Sequence, residues 1–411
     1  MPMTDLKKTI VVTGMGVISP YGIGMASLYA GLLSGRCCLT PTKDMFPGFE
    51  GTTARVGELP HFASDKSIQY SRTDRLAMVA AHDAVRDFDR QQSSFRESGI
   101  VIASTVGGLS EINPEIVKDP AAWYRQRDGL ARASSYSVAR AAASVGEDLG
   151  IRGPSCAVSV ACASGGMAIA LAANMLLDDA VPMVLAGGSD ALCPFTMSGF
   201  NALQSLDKEP CRPFDQNRKG LNIGEGAAVL VLETLAGARA RGANVLAVLR
   251  GWAMNNDATH PTAPQKQGIG MAHCMRSALD MAEANVEDIG YVNAHGTGTP
   301  LNDIAEANAY ELAFRERSRP VPVSSTKSYF GHCLGSAGSI EAAITIASIR
   351  SGAIFPTLRL TDPIESSCVD WVRGEVRHQP LQTAMSVSLG FGGSNTVLIF
   401  GSEQTCEGAQ A

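Results

Sequence analysis

Short runs of β-branched and apolar residues recur along the chain with helical stretches between them. The runs are TIVVTG, GIVIAST, SCAVSVAC, PMVLAGG and GAAVLVLE, then VLAVLRG, IGYVNAHG, VPVSSTK, AMSVSLG and NTVLIFG. Alternation of this kind predicts sheets covered by helices, an α/β fold. Two parts of the chain share an outline, since each ends on a glycine-containing turn between strands: AGGSDALC leading to GAAVLVLE, and SLGFGGSN running into TVLIFG. The repetition suggests duplication with a junction near Gly251, giving halves at 1–250 and 251–411. TIVVTGMGVISP reads as the first strand and its turn, with Gly14 and Gly16 interrupting the apolar run. No charged residue occurs from Gly153 to Leu177. The Gly, Ser, Pro and Cys content there favours a strand and helix buried at the centre of a globular fold over a membrane span.

Composition narrows the class. A chain of 411 residues, 45% hydrophobic and 18% charged, suits a compact enzyme built as two domains or two similar halves. A net charge of −6 without any Lys/Arg block argues against nucleic-acid binding. The ten cysteines follow no even spacing and form no CxxC or zinc-type group, so no disulfide framework or metal site is expected. Buried thiols in a reducing cytoplasm are the expectation, Cys156, Cys193, Cys274 and Cys333 among them. A dinucleotide fingerprint fails at Ser19, and Walker, HExxH and GxSxG sequences are absent.

Three segments carry chemistry. In SVACASGGMAIALAANMLL a β-type run ends at Cys162, and Ala163, Ser164, Gly165 and Gly166 open an apolar helix. A thiol at such a helix N-terminus is favoured as thiolate, and small neighbours let a thioester approach the backbone. In YVNAHGTGTP an apolar strand enters a Gly- and Thr-rich loop that packing does not require, which singles out His295, with Thr297 and Thr299 as hydroxyls for an elongated polar substrate arm. Asp303 and Glu306 fit a helix capping box. In VSSTKSYFGHCLGSAG the layout recurs around His332, with Lys327 five residues earlier able to hold a carboxylate or orient an imidazole. The other histidines, His260 included, lack a comparable loop. SLGFGGSN around Phe391 is a turn able to aim a backbone N–H at an oxyanion.

Taken in order, VACASGG, NAHGTGTP, STKSYFGH and GFGGSN resemble the elongating β-ketoacyl-[acyl-carrier-protein] synthases, and the resemblance spans essentially the whole chain. It implies a thiolase-like layered αβαβα fold of two similar halves. It implies that Cys162 accepts an acyl chain, that His295 and His332 donate hydrogen bonds to a malonyl thioester, and that Lys327 and Glu306 support the site. The backbone N–H groups of Cys162 and Phe391 would form the oxyanion hole, and Phe391 would gate the acyl pocket. Thr262, Thr297 and Thr299 would line the phosphopantetheine arm. Initiating synthases carry Asn at the His332 position, thiolases a second cysteine in the last Gly-rich turn, and chain-length factors lack the nucleophile.

Departures fall around the acyl pocket. Ser137 in ASSYSVAR, with Val106 and Phe200, implies a differently shaped cavity suited to a polyketide or polyene chain, against the common saturated chains of fatty-acid synthesis. Asn302 stands where Gly is common, and Lys219 and Asn222 replace more usual residues. No cofactor is expected, the substrates being carried on the phosphopantetheine of acyl carrier protein. Lys66, Arg72 and Arg75 are candidates for docking that acidic carrier. The resemblance also implies a two-fold homodimer, or a heterodimer with a chain-length factor. The reading from another class is a non-catalytic partner subunit that keeps its cysteine by accident.

Overall fold

The computed structural model of the chain describes residues 8–44, 46, 49–57, 70–111 and 136–406. Its main sheet contains strands β1 (Ile10–Ser19), β2 (Gly99–Ala103), β3 (Ser155–Val158), β4 (Met183–Asp190), β5 (Gly226–Thr234) and β6 (Ala247–Asn256). It continues with β7 (Tyr291–Asn293), β8 (Val321–Ser324), β9 (Val369–Trp371), β10 (Thr383–Gly390) and β11 (Ser394–Gly401). The spatial order is β3-β2-β4-β5-β1-β6-β11-β10-β7-β8-β9.

Two arms leave a seam where β1 pairs antiparallel with β6 through Ile10–Leu249, Val11–Val248 and Val12–Ala247. Going outward from β1, the neighbours are two antiparallel pairings and then two parallel ones, β1–β5, β5–β4, β4–β2 and β2–β3. Going outward from β6, β6–β11, β11–β10, β10–β7 and β7–β8 repeat that pattern. Parallel neighbours need crossovers, and the helices supply them: α1 (Arg72–Ala84), α2 (Arg140–Leu149) and α3 (Ser164–Leu177) in the first arm. After α4 (Pro194–Ala202), the second arm has α5 (Ile269–Met281), α6 (Pro300–Ala313) and α7 (Ala337–Ser351).

Burial sorts these helices into layers. One core cluster joins α1 and α2 to one face of the first arm, and another joins α5 and α6 to the second. A central cluster joins α3 and α7 to strands of both arms, from Val101 and Val184 to Ala384 and Phe400. The layers are therefore helix, sheet, helix pair, sheet, helix, the thiolase-like αβαβα arrangement. Strands covered on both faces read as continuous apolar runs: every residue of β4 and of β11 is buried.

The first strand contains Gly14 and Gly16, as expected, with a register shift against β5 between Val12 and Gly14. Their role is packing: a Cβ at Gly16 would lie 1.9 Å from the Ala80 carbonyl oxygen, and one at Gly14 would lie 2.3 Å from that of Ala84. Glycine lets α1 lie directly on β1. A similar close approach lies behind the nucleophile. A Cβ at Gly165 would meet the Ser339 nitrogen at 2.7 Å, and one at Gly338 the Gly166 nitrogen at 2.7 Å. Gly165 and Gly338 serve the close approach of α3 to α7.

The uncharged segment around residue 160 is central only in its helix. The β3 strand is a sheet edge, and Ser155 and Cys156 are exposed in the single chain, so Cys156 is not the core thiol expected. Among the described residues no helix is long and apolar enough to cross a membrane.

Candidate active site

Cys162 follows β3 by a tight turn. The Val160 N–H donates to Ser164 Oγ at 2.7 Å, and that hydroxyl donates to the Ala161 carbonyl at 2.5 Å. The staple holds Ala161 at φ 46°, left-handed backbone that a residue with a Cβ rarely adopts. The kink delivers Cys162 two residues ahead of α3, buried at 7% exposure. A Cβ at Gly390 would lie 2.9 Å from the Val160 oxygen, 3.1 Å from the Ala163 nitrogen and 3.2 Å from the Cys162 nitrogen. The 390–393 turn thus sits directly against the nucleophile's backbone.

Burial pushes the Cys162 thiol up to about 12, against the attraction of the Lys327 ammonium. The thiolate expected from the helix position is therefore not the resting form. A helix N-terminus supplies at most about 2 kcal/mol, roughly 1.5 pH units of stabilisation at 1.36 kcal/mol each. Desolvation of a buried sulfur outweighs that.

His295 is held by the carboxylates that follow it. Its N–H and that of Gly296 donate to Glu306 at 2.7 and 2.8 Å, and those of Thr297 and Gly298 donate to Asp303 at 3.1 Å. The expected capping box does not form. The N-cap of α6 is Thr299 without a side-chain cap, and the D-x-x-E pair instead folds the loop before the helix into a rigid cradle. Burial raises Glu306 to about 7, opposed by the Tyr310 hydroxyl it accepts at 2.7 Å.

Lys327 is not a surface residue but is 2% exposed. Its ammonium is ion-paired with Glu341, donates to the His295 carbonyl at 2.5 Å and lies 3.4 Å from His295 Nδ1. An ammonium has only donors, so Nδ1 must present its lone pair and Nε2 carries the proton. Glu341, raised to about 7 by burial despite Lys327, was missed in the sequence. Its signal was there: it is the one carboxylate in the helix SIEAAITIASI.

His332 is buried, and its main chain is fixed between Asn222 O and Gly224 N–H, at 2.8 and 3.0 Å. Neither of its ring nitrogens has a hydrogen-bond partner among the described residues. The two imidazoles meet edge to face, with centroids 5.2 Å apart and planes at 85°. Desolvation, with Lys327 nearby, holds both well below the ordinary histidine range, so both are neutral at pH 7.

Cys162, His295 and His332 line one cavity of about 460 Å³ together with Thr262, Thr297, Thr299, Phe200 and Phe391. Phe391 is partly exposed, its ring 5.6 Å from that of Phe200. Val106 does not reach the cavity but packs behind it with Met197 and Leu192. Ser137 does not reach it either: it is exposed ahead of α2, its hydroxyl accepting the Ala139 N–H at 3.2 Å in a local turn. His260, set aside in the sequence, does line it, its Nδ1 accepting N–H groups of Thr262 and Ala263 at 3.1 and 2.9 Å. Arg72 is excluded as a docking residue, because its guanidinium is consumed by buried Glu225 at 2.6 and 2.9 Å and by the Val56 carbonyl. Arg75 is half-buried on α1, and Lys66 lies outside the described residues.

Residues 7–238 match the family model described as beta-ketoacyl synthase, N-terminal domain, and residues 246–361 match the corresponding C-terminal domain. The chain is 34% identical to 3-oxoacyl-[acyl-carrier-protein] synthase 2 of Staphylococcus aureus (strain COL), over 96% of this chain and 98% of that protein. It superposes on the ishigamide ketosynthase/chain length factor with TM-score 0.87 at 30% identity, covering 96% of this chain and 99% of that one. A type II PKS acyl-carrier protein in complex with its ketosynthase gives TM-score 0.82 at 28% identity, over 96% and 99%.

Proposed function

The chain belongs to the β-ketoacyl synthase family, and from that premise we propose that it joins a Cys162-bound acyl chain to malonyl-acyl carrier protein by decarboxylative Claisen condensation. The product is a β-ketoacyl-acyl carrier protein of fatty-acid or type II polyketide and polyene synthesis. The observation that carries the reading is the pair of neutral, mutually perpendicular imidazoles on the cavity of a buried cysteine, with both nitrogens of His332 unclaimed.

The chemistry follows from those states. The Cys162 sulfur attacks the acyl thioester and loses its proton as the bond forms, a neutral imidazole on the same cavity serving as base. The tetrahedral oxyanion lies beside the backbone N–H groups of Cys162 and Phe391; one such donor is worth about 10²–10³ in rate. The carrier departs as its free thiol. The malonyl thioester carbonyl then accepts N–H bonds from His295 Nε2 and from His332. Carbon dioxide leaves, and the resulting enolate stays unprotonated because neutral imidazole is a weak acid. Its carbon attacks the Cys162 thioester, the carbon–carbon bond forms as the carbon–sulfur bond breaks, and the thiolate released takes a proton from solvent. Holding both thioesters in one dry site supplies the entropy such a reaction lacks in water.

The substrates bring their own activation as thioesters, so no resident cofactor enters the scheme. Thr262, Thr297 and Thr299 line the route of the phosphopantetheine arm. The exposed edge β3, and α4 with only Met197 buried, offer a face for a second subunit, either this chain again or a chain-length factor. Free thiols such as Cys193, Cys211 and Cys274 suit the reducing cytoplasm.

Intact-mass measurement after mixing the protein with an acyl-acyl carrier protein tests the reading. The expected result is one acyl mass on Cys162, followed by carbon dioxide release and chain extension when malonyl carrier is added. A protein that takes no acyl mass is the non-catalytic partner subunit instead.

A further inference from the structure

We propose that Asn302 is a substrate-binding residue whose side-chain carbonyl accepts a hydrogen bond from an amide N–H of the phosphopantetheine arm. The inference rests on the ketosynthase reading above. Asn302 is the third residue of α6, lines the catalytic cavity and is 8% exposed. Its amide nitrogen donates to Asp303 Oδ1 at 3.1 Å and to Glu306 Oε2 at 3.2 Å.

Those two contacts fix the orientation of the amide. Carboxylate oxygens that already take N–H bonds can face only the nitrogen end of an asparagine, because its oxygen offers no proton. Both carboxylates are pinned in turn. Asp303 accepts from the N–H groups of Thr297, Gly298 and Phe214, and Glu306 from those of His295 and Gly296. The NH₂ group has therefore committed both donors, and the side chain is held from behind. Its carbonyl oxygen is the polar atom left without a partner among the described residues, on a side chain that borders the cavity.

A carbonyl oriented in this way, on a side chain that lines the cavity, can accept from a donor there. An acyl chain offers none, whereas the phosphopantetheine arm carries two secondary amides, each with a carbonyl on one edge and an N–H on the other. Gripping such an amide takes one donor and one acceptor. The hydroxyls of Thr297 and Thr299, 3.0 Å apart in the same loop, can donate to the carbonyl. Asn302 supplies the acceptor, in a position that the catalytic cradle itself makes rigid.

The test uses acyl and malonyl thioesters of pantetheine and two analogues, each with one arm N–H replaced by an ester oxygen. With the wild-type enzyme, one analogue loses about fivefold to tenfold in kcat/KM, the worth of one hydrogen bond. Asn302→Ala loses a similar factor with the amide substrate and nothing further with that analogue. Ester and amide substrates turning over alike in the wild type would overturn the inference. So would Asn302→Ala slowing both equally, which is the mark of a purely structural role. Should the variant fold poorly, the wild-type series alone decides. Cys162 acylation read by mass in the same reactions reports on the underlying reading, and a wild type that is never acylated overturns that reading and this inference together.

Discussion

Replacing Lys327 by methionine removes one partner of a pair that is almost wholly dry: Lys327 and Glu341 are 2% and 3% exposed. Truncating one member of such a pair costs about 3–5 kcal/mol, because the other charge stays buried and uncompensated. Glu341 has an escape, since it can bind a proton, and burial already raises it to about 7 with Lys327 present. Without the ammonium it rises further. A carboxyl raised on folding binds its proton more tightly in the folded state, so its stability contribution is complete at acid pH and is lost as pH climbs toward the raised value. In the wild type that loss is complete near pH 7; in the variant it continues above. The deficit of Lys327→Met relative to wild type should therefore be modest at pH 6 and grow by about 1.4 kcal/mol per pH unit above pH 7. Urea unfolding of both proteins at pH 6, 7 and 8 measures it, and Lys327→Met/Glu341→Gln should recover at least half of the pH 8 loss. A deficit that does not change with pH, or a double variant no better than the single one, would refute the reasoning. Condensation should fall with the anchor of His295 even at pH 6.

Three further outcomes are expected. Alkylation of Cys162 by iodoacetamide should quicken about tenfold per pH unit well past pH 8, as the share of thiolate rises toward a value near 12; a plateau at neutral pH would show an activated thiolate at rest. Gly390→Ala drives a methyl against the Val160 oxygen and the nitrogens of Cys162 and Ala163, so acylation followed by mass should slow by roughly a hundredfold with the fold retained. Arg72→Ala strands the buried Glu225 carboxylate and should cost about 3 kcal/mol in unfolding experiments while leaving the KM for carrier protein unchanged.

The parts of this molecule that the sequence revealed are those governed by local pattern. Apolar runs marked the sheet strands because strands covered on both faces must be apolar throughout, and the loops carrying His295 and His332 stood out by their glycines, which packing does demand after all: a Cβ at Gly296 would lie 2.5 Å from that of Ser325, and one at Gly331 2.9 Å from the Asn222 oxygen. Long-range partners were hidden. Lys327 looks like any lysine until α7 brings Glu341 beneath it, and D-x-x-E is the same string whether it caps a helix or cradles the loop before it. Gly14, Gly16 and Gly165 invited ligand-centred readings, since a glycine does not reveal what comes close to it; helix backbones do here. Ser137 shows a related limit: resemblance assigns a position, but not the local turn in which its hydroxyl accepts the Ala139 N–H.

β11 lies between β6 and β10, both of which precede it in the chain. Until it arrives, those two neighbours present open hydrogen-bonding edges, and the layer behind His295 has no floor. A ribosome releasing this polypeptide step by step thus leaves the β6 edge unpaired from Asn256 until Ser394–Gly401 follow. The strand that closes the sheet also fixes the turn that lies against the sulfur.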